Sequence, residues 1–238
     1  MRISRLYIDQ PLESEASLEL HVDRSHYLMH VLRVRVGDRV ILFNNSGFDY
    51  EATVISATKK TAVVELGKRI PVDRESPLAI TLALAISRGQ HMDYALQKAV
   101  ELGVAGIVPI KSEFSNVKLQ DDRLENKLAH WRNIIISASE QCGRSRLADL
   151  HKPEDLSAWL DKDDNELRVL LQPGSHLSLQ DIQPVANKLT VLVGPEGGFS
   201  DSELELAGNR GVTLVGFGPR ILRTETAVVS VLSIAQQR

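Results

Sequence analysis

Apolar residues in the first 70 positions fall in short runs that polar turns separate from one another. The runs lie at residues 3–8, 18–22, 39–43, 48–57 and 61–66. Alternation of apolar and polar positions over such lengths predicts half-buried β-strands. Asn44-Asn-Ser-Gly47 separates two of the runs and is a strong hairpin signal. A short helix is predicted over residues 24–33, with Asp23 as its cap. We therefore expect a small β-barrel over residues 1–70.

Beyond residue 77 the apolar runs become continuous and alternate with helical patterns. Predicted strands cover residues 78–86, 106–110, 167–171, 189–193 and 212–215. Predicted helices cover residues 92–102, 121–140 and 226–237, and another begins at about Ser200. Continuous runs of this kind are typical of parallel strands that helices cover on both faces. The fold class is therefore α/β, with a parallel-sheet domain over residues 78–238 and a polar, proline-bounded linker at 71–77.

Two glycine loops each follow a predicted strand and precede a predicted helix. The first contains Gly194-Pro-Glu-Gly-Gly198, and Ser200 with Glu203 has the spacing of a capping box. The second runs from Gly216 to Glu225. Ligands of open α/β sheets bind beyond the carboxyl ends of strands, so the loops predict one pocket with two walls. On spacing alone, two ordinary strand-to-helix turns explain the glycines equally well.

Composition restricts the class of protein. The 238 residues are 43% hydrophobic and carry a formal net charge of −3, and no apolar run reaches the roughly 18–20 residues that cross a membrane. The single cysteine, Cys142, excludes an intrachain disulfide and favours a reducing compartment, so we expect a soluble cytoplasmic protein. The histidines lack zinc-ligand spacing, and we expect no metal. Nucleic-acid-binding domains are usually basic, so any RNA contact requires a local patch.

A family resemblance starts from the two loops, which contain Leu192-Val-Gly-Pro-Glu-Gly-Gly-Phe-Ser200 and Gly218-Pro-Arg-Ile-Leu-Arg-Thr-Glu-Thr-Ala227. Further motifs are His26, Val31-Leu-Arg33, Gly37-Asp38, Ser87-Arg-Gly89, Gln97–Gly103, Val117-Lys-Leu119 and Glu140–Arg144. Together they closely resemble the RsmE family of 16S ribosomal RNA uridine-N3 methyltransferases, of the SPOUT class, over nearly the whole chain. One position departs from the family pattern, which commonly has Ser-Glu-Arg where this chain has Ser112-Glu113-Phe114. Phe114 is then expected to stack on an RNA base or to make no RNA contact.

The resemblance implies the fold, the cofactor and the substrate. It implies a PUA-like barrel that helps to hold ribosomal RNA, and a deep trefoil knot formed by the loops after Leu171, Val193 and Gly216. The knot is expected to bind S-adenosylmethionine in a bent shape, close to the partner subunit of a homodimer. The implied reaction methylates N3 of the uridine at position 1498 of 16S ribosomal RNA. Because the net charge is negative, we expect the assembled small ribosomal subunit, and not naked RNA, to be the substrate.

Backbone groups of the glycine loops can bind adenine and ribose at close range, and apolar side chains can sandwich the ring. The predicted cofactor-binding residues are Leu171, Gln172, Val193, Gly194, Pro195, Glu196, Gly197, Gly198, Gly216, Gly218, Ile221 and Leu222.

The reaction needs a proton to leave uridine N3, and negative charge then spreads onto the flanking carbonyl oxygens. A cation would stabilise that charge and a carboxylate would accept the proton. Arg223 is the predicted cation, and Glu225 and Glu196 are the candidate acceptors. A structural role for each carboxylate stays equally open, as a helix cap or partner of Arg223 for Glu225 and as a loop brace or cofactor ligand for Glu196. Cys142 is not expected to be catalytic, because attack on N3 requires no covalent adduct.

Five arginines are the predicted RNA contacts: Arg5, Arg33, Arg35, Arg88 and Arg144. Arg39, Lys59 and Lys60 would extend a basic rim on the barrel, although a solvated polar face is the commoner explanation for any single residue. Other functions remain open here: a non-catalytic ribosomal-RNA-binding or ribosome-assembly protein, and a SPOUT methyltransferase that acts on transfer RNA. A phosphate-binding enzyme is disfavoured, because the first loop lacks the Gly-Lys-Ser/Thr ending of a P-loop.

Overall fold

The chain divides into two compact units in a computed structural model. The structure describes residues 3–58, 60–115, 121–162, 167–184 and 186–237, without the side chains of 121–123. The first unit consists of the residues up to Glu75 together with Ser139–Leu147, and the second consists of Ser76–Ala138 and the residues from Ala148 onward. Two sequence features lie outside the described residues: Lys59 of the predicted basic rim and the Val117-Lys-Leu119 motif. The predicted linker at 71–77 adjoins the unit boundary and remains a prediction.

The first unit is a five-stranded mixed sheet. Its strands are β1 (Ser4–Tyr7), β2 (Ser17–Glu19), β3 (Arg39–Phe43), β4 (Phe48–Ala57) and β5 (Ala62–Pro71), in the order β1-β3-β4-β5-β2. The β1–β3 pair is parallel and the other pairs are antiparallel. The predicted hairpin between β3 and β4 is confirmed, and its turn holds Asn45 and Gly47 at positive φ. The helix predicted over 24–33 is instead a short α1 (Val22–His26) followed by a π-helical turn (Tyr27–Val31).

Alternation along the strands fills the core of this first sheet. Leu6, Leu42 and Val64 belong to its buried apolar cluster, as the pattern of half-buried strands predicts. A polar side chain from the later stretch of the same unit joins this sheet: Glu140 accepts a hydrogen bond from the Tyr7 backbone N–H at 3.0 Å. Burial raises the pKa of the Glu140 carboxyl, and this hydrogen bond and nearby arginines oppose the rise.

The second unit is a parallel sheet covered by helices. Its strands are β6 (Ala79–Ala85), β7 (Gly106–Lys111), β8 (Asp149–Leu150), β9 (Glu154–Asp155), β10 (Arg168–Leu171), β11 (Lys188–Val193) and β12 (Thr213–Val215). Their order is β12-β10-β11-β6-β7-β8, with β9 also pairing with β7, and every pair is parallel. The helices are α2 (Gly89–Glu101), α3 (Asp121–Cys142), α4 (Leu156–Leu160), α5 (Asp201–Asn209) and α6 (Thr224–Ala235), with a 3₁₀ turn at Leu179–Asp181.

Helices pack on both faces of this sheet, as the continuous apolar strands predict. Leu156 and Trp159 of α4 and Ala207 of α5 join the apolar cluster on one face, where Leu192 of β11 also packs. Helices α2 and α6 pack against each other, and α6 also contacts β11. The α/β class is thereby confirmed. The trefoil knot is consistent with the strand order, in which β10 lies between β11 and β12, and it remains a prediction of the resemblance.

Candidate functional site

A pocket lies where β10, β11 and β12 end beside one another. Its cavity volume is about 100 Å³, and it opens to solvent. Strand β10 and its exit contribute Leu171 to Pro173, and the other two walls come from the glycine loops. This is the edge at which ligands of open α/β sheets bind.

Most of the predicted cofactor residues line this pocket. They are Leu171, Gln172, Val193, Gly194, Pro195, Glu196, Gly198, Ile221 and Leu222. Gly197, Gly216 and Gly218 do not line it, although Gly216 and Gly218 border the neighbouring depression. Sequence reasoning missed Pro173, Phe199, Val215, Phe217, Arg220, Thr224 and Ala227, which also line the pocket. The two loop motifs contain four of them: Phe199, Arg220, Thr224 and Ala227. Motif spacing does not show which side chains of a loop face the pocket.

The first glycine loop, residues 194–199, is held by its own turn and by the helix that follows. Gly198 adopts φ +72° and donates a backbone hydrogen bond to Pro195 O at 2.9 Å. A Cβ at Gly194 would approach the Phe199 ring to 3.1 Å, so glycine allows this close packing. The predicted capping box is confirmed, because Ser200 and Glu203 exchange side-chain-to-backbone hydrogen bonds at the start of α5.

The segment after β7 also braces this loop. Glu203 uses its second carboxylate oxygen, Oε1, to accept a hydrogen bond from the Glu113 backbone N–H at 2.8 Å. The adjacent Phe114 lies against Gly197, where an added Cβ would approach Phe114 Cβ to 3.1 Å. Phe114 therefore has a packing role at the position where it departs from the family pattern, and 42% of its surface remains exposed.

Two further hydrogen bonds tie the first loop to neighbouring elements. Glu196 Oε1 accepts a hydrogen bond at 3.1 Å from the backbone N–H of Arg88, the residue that precedes α2. Thr224, the first residue of α6, donates its hydroxyl to Gly194 O at 3.2 Å. The loop backbone is thus fixed from three sides before any ligand binds. The brace favours the structural role of Glu196 over a catalytic one.

The second glycine loop, residues 216–223, is tight at its base and open at its tip. Gly216 donates a backbone hydrogen bond to Leu177 O at 2.9 Å, and a Cβ on Gly216 would overlap the backbone oxygen of Ser175. At the tip, Gly218 has φ +73° and no neighbouring atom near its missing Cβ. Ile221 lines the pocket and yet is 85% exposed. Nothing in the described residues covers this apolar side chain.

The predicted catalytic residues occupy different positions around the pocket. Glu196 lines it, whereas Arg223 and Glu225 do not. Arg223 is exposed at the start of α6. Glu225 faces α2, where its Oε1 lies 3.1 Å from His91 Nδ1, and its Oε2 is buried without a partner among the described residues. This places Glu225 in the structural role of pairing, with His91 in place of Arg223.

The predicted RNA contacts divide by burial. Arg33, at φ +56°, Arg35 and Arg88 are exposed. Arg5 is largely buried and pairs with Asp49, and Arg144 is buried and pairs with Glu75. Their RNA contact therefore finds no support in the structure, because breaking either pair would leave a buried charge uncompensated. Both arginines instead bind together parts of the first unit that are far apart in sequence.

Other kinds of site can be assessed over the described residues alone. In that part of the chain, no group of three or more His, Cys, Asp or Glu side chains is arranged to hold a metal ion. No helix there is both long enough and apolar enough to span a bilayer.

Comparison with known proteins identifies relatives along the whole chain. Residues 74–236 match the family model described as an RNA methyltransferase domain, and residues 22–67 match that of an RNA methyltransferase PUA domain. The chain is 34% identical over 236 residues to the ribosomal RNA small subunit methyltransferase E of Buchnera aphidicola subsp. Schizaphis graminum, covering 99% of this chain and 96% of the relative. It is 29% identical to the protein of that name from Bacillus subtilis, covering 94% and 91% of the two chains.

Solved structures agree with these matches. The ribosomal RNA small subunit methyltransferase E of Neisseria gonorrhoeae, crystallised with S-adenosylmethionine, superposes with a TM-score of 0.92 at 34% identity, over 99% of this chain and 98% of that chain. A Legionella pneumophila protein solved with the bound cofactor superposes with a TM-score of 0.95 at 36% identity, over 100% and 98% of the two chains.

Proposed function

Since this chain belongs to the RsmE family of RNA methyltransferases, we propose that it transfers a methyl group from S-adenosylmethionine to ribosomal RNA of the small ribosomal subunit. The observation that carries the proposal is the pocket at the ends of β10, β11 and β12, whose walls are the two glycine loops. The methylated atom is N3 of one uridine, an assignment that rests on the resemblance of the loop motifs.

The pocket residues suit the parts of S-adenosylmethionine. Leu171, Val193 and Leu222 offer apolar surface to an adenine ring, and the Gly194 to Glu196 backbone offers hydrogen-bonding groups beside it. The close packing of Phe199 on Gly194 lets the backbone itself form this wall. When bound, S-adenosylmethionine supplies a methyl carbon already activated by a positively charged sulfur. The protein has then to place that carbon in line with the nucleophile.

The first unit is proposed to hold the RNA. The PUA-domain match covers most of its sheet, and Arg33 and Arg35 are exposed there. The negative net charge favours a structured particle over free RNA as the substrate. A homodimer is proposed as well, an assignment that rests on the family resemblance. The predicted cytoplasmic location fits a substrate that is made in that compartment.

The test is to incubate the purified protein with labelled S-adenosylmethionine and small ribosomal subunits that lack the modification. Label is expected in 16S ribosomal RNA as 3-methyluridine at one site. Naked 16S ribosomal RNA and total transfer RNA serve as parallel substrates. Equal labelling of naked RNA would contradict the assembled-particle substrate, and labelling of transfer RNA alone would replace the substrate altogether. Binding of the cofactor without transfer to any of these would remove the methyltransferase function.

A further inference from the structure

The two charged side chains that line the pocket differ in their surroundings. Among the described lining residues, Glu196 is the carboxylate and Arg220 is the cation. Glu196 is already engaged by the backbone of Arg88. Arg220 is exposed, and within the described part of the chain no ion pair or hydrogen bond engages its guanidinium. The pocket therefore presents one cation that its own protein leaves available.

Other arginines of this chain show what a structural role looks like. Arg144 is buried and Arg5 largely buried, each in an ion pair, and Arg168 donates to the backbone oxygens of Leu160 and Lys162. Arg220 has no such engagement, so its place in a concave site is not explained by stability. Arg223, three residues further on, is also exposed but does not line the pocket. The two arginines of the same loop are therefore not equivalent.

Electrostatics restricts what Arg220 can face. A second cation close to the positively charged sulfur of the bound cofactor would be repelled, unless an anion lies nearby. Three kinds of anion are available: the carboxylate of the cofactor's methionine part, the RNA phosphates, and a uracil ring that has lost its N3 proton. Arg220 lines the pocket at the open tip of the second loop, beside the 85% exposed Ile221, and the acceptor ring has to reach the methyl carbon in this pocket. This position favours the uracil ring.

We propose that Arg220 is a catalytic residue whose guanidinium holds the negative charge on the uracil oxygens while N3 is alkylated, an inference that rests on the proposed function. The N3–H bond breaks and its proton leaves to solvent. The N3 electron pair forms the bond to the methyl carbon, and the carbon–sulfur bond breaks with its electron pair going to sulfur. Methylated uridine and S-adenosylhomocysteine are the products, so atoms and charges balance without a further reactant.

A cation beside uracil lowers the pKa of N3–H. This effect makes the rate defect of an Arg220 variant depend on pH, whereas the defect from losing a residue that only binds the RNA would not. Arg220→Ala should reduce the transfer rate at saturating subunits roughly ten- to a hundredfold near neutral pH, which corresponds to a shift of about one to two pKa units. The defect should shrink as pH rises, because solvent then removes the proton unaided. Arg220→Lys keeps a cation and should recover part of the rate. Arg210→Ala, which breaks an exposed pair with Asp161, is the matched control and should match the unmodified protein.

Measurements of cofactor affinity show whether Arg220 contacts the methionine carboxylate or the uracil ring. Calorimetry with S-adenosylhomocysteine and with 5′-methylthioadenosine, which lacks the amino-acid part, should give affinities that Arg220→Ala changes less than about threefold, or under about 0.7 kcal/mol. A large loss for S-adenosylhomocysteine alone would assign Arg220 to the methionine carboxylate and overturn the proposal. A raised KM for subunits with an unchanged rate at every pH would make it a phosphate contact and also overturn it. If the unmodified protein transfers no methyl group, the proposed function itself fails.

Discussion

The two glycine loops line one pocket, but the protein holds them in different ways. The first loop is fixed by the α5 capping box, by Phe114, by the Arg88 backbone and by Thr224. The second is locked at Gly216 and then runs exposed to the start of α6. A braced backbone loses little conformational freedom when a ligand binds, so the first loop is suited to binding the cofactor. The second loop is exposed and carries an arginine that is unpaired among the described residues, so it is suited to contacting a large substrate.

Breaking the base of the second loop should have the largest effect. Gly216→Ala would drive Cβ into the Ser175 backbone, and no flexible side chain is there to move aside. The free energy of unfolding should fall by about 3 kcal/mol or more, at the upper end for overpacking. Binding of S-adenosylhomocysteine should be lost with it. Urea unfolding and calorimetry measure the two effects.

Gly218→Ala is the control for that change. Its φ of +73° strains an alanine, but no atom lies near the added methyl group, so a loss of about 1 kcal/mol is expected. Equal losses at the two positions would mean that the base of the loop is no tighter than its tip.

Gly197→Ala should loosen the braced loop by a smaller amount. The added methyl group would press on Phe114 Cβ, and the expected loss is about 1–2 kcal/mol with a weaker affinity for S-adenosylhomocysteine. Removing Phe114 Cβ together with the ring in the double variant Gly197→Ala/Phe114→Gly should recover part of that loss, which a double-mutant cycle measures as a coupling energy. Gly198→Ala is strained only by φ +72°, so Phe114→Gly should not rescue it. Independent, additive effects at Gly197 and Phe114 would refute the brace.

His91→Ala tests whether α6 anchors the far end of the second loop. The change would leave the largely buried Glu225 carboxylate without its partner, and a loss of roughly 0.5–1 kcal/mol is expected. His130→Ala breaks a more exposed pair with Asp93 and should cost less in the same thermal or urea titration. A larger effect at His130 would place the anchor elsewhere.

Glu196→Gln should have the smallest effect, because the amide oxygen can still accept the Arg88 hydrogen bond. Stability should stay within about 0.5 kcal/mol, as for most surface substitutions. Transfer activity should stay within a few-fold, whereas Glu196→Ala, which removes the acceptor, should weaken cofactor binding measurably. Loss of transfer in the Gln variant with normal cofactor binding would restore Glu196 as the proton acceptor.

Local patterns predicted most of the fold. Strands β3 and β4, the hairpin between them and the Ser200–Glu203 capping box all depend on residues close in sequence, and each is confirmed. Helix α2 begins at Gly89, before the predicted Met92, because its first turn is polar and carries no apolar signal. The short strands β8 and β9 escaped prediction, since two residues are too few to show a period.

The sequence predicted where the pocket lies, but it did not predict which side chains point into it. Motif spacing brought both glycine loops to one pocket, but it could not choose Arg220 over Arg223. Nor could it show that Arg5 and Arg144 are engaged in ion pairs, because their partners, Asp49 and Glu75, lie 44 and 69 residues away in the chain. Burial and pairing over such separations are properties of the folded chain.

The first unit is assembled from two separate stretches of the chain, and this has a consequence for its synthesis. Ser145 binds the Arg5 and Asp49 side chains, Glu140 binds the Tyr7 backbone, and both partners come from residues 139–147. On a translating ribosome, the N-terminal sheet emerges long before these contacts can form. It stays incompletely buried until residue 147 leaves the exit tunnel, and by then the whole of Ser76–Ala138, the first stretch of the second unit, has also been made. A fragment ending at residue 75 would keep the N-terminal sheet incompletely buried, because it lacks residues 139–147.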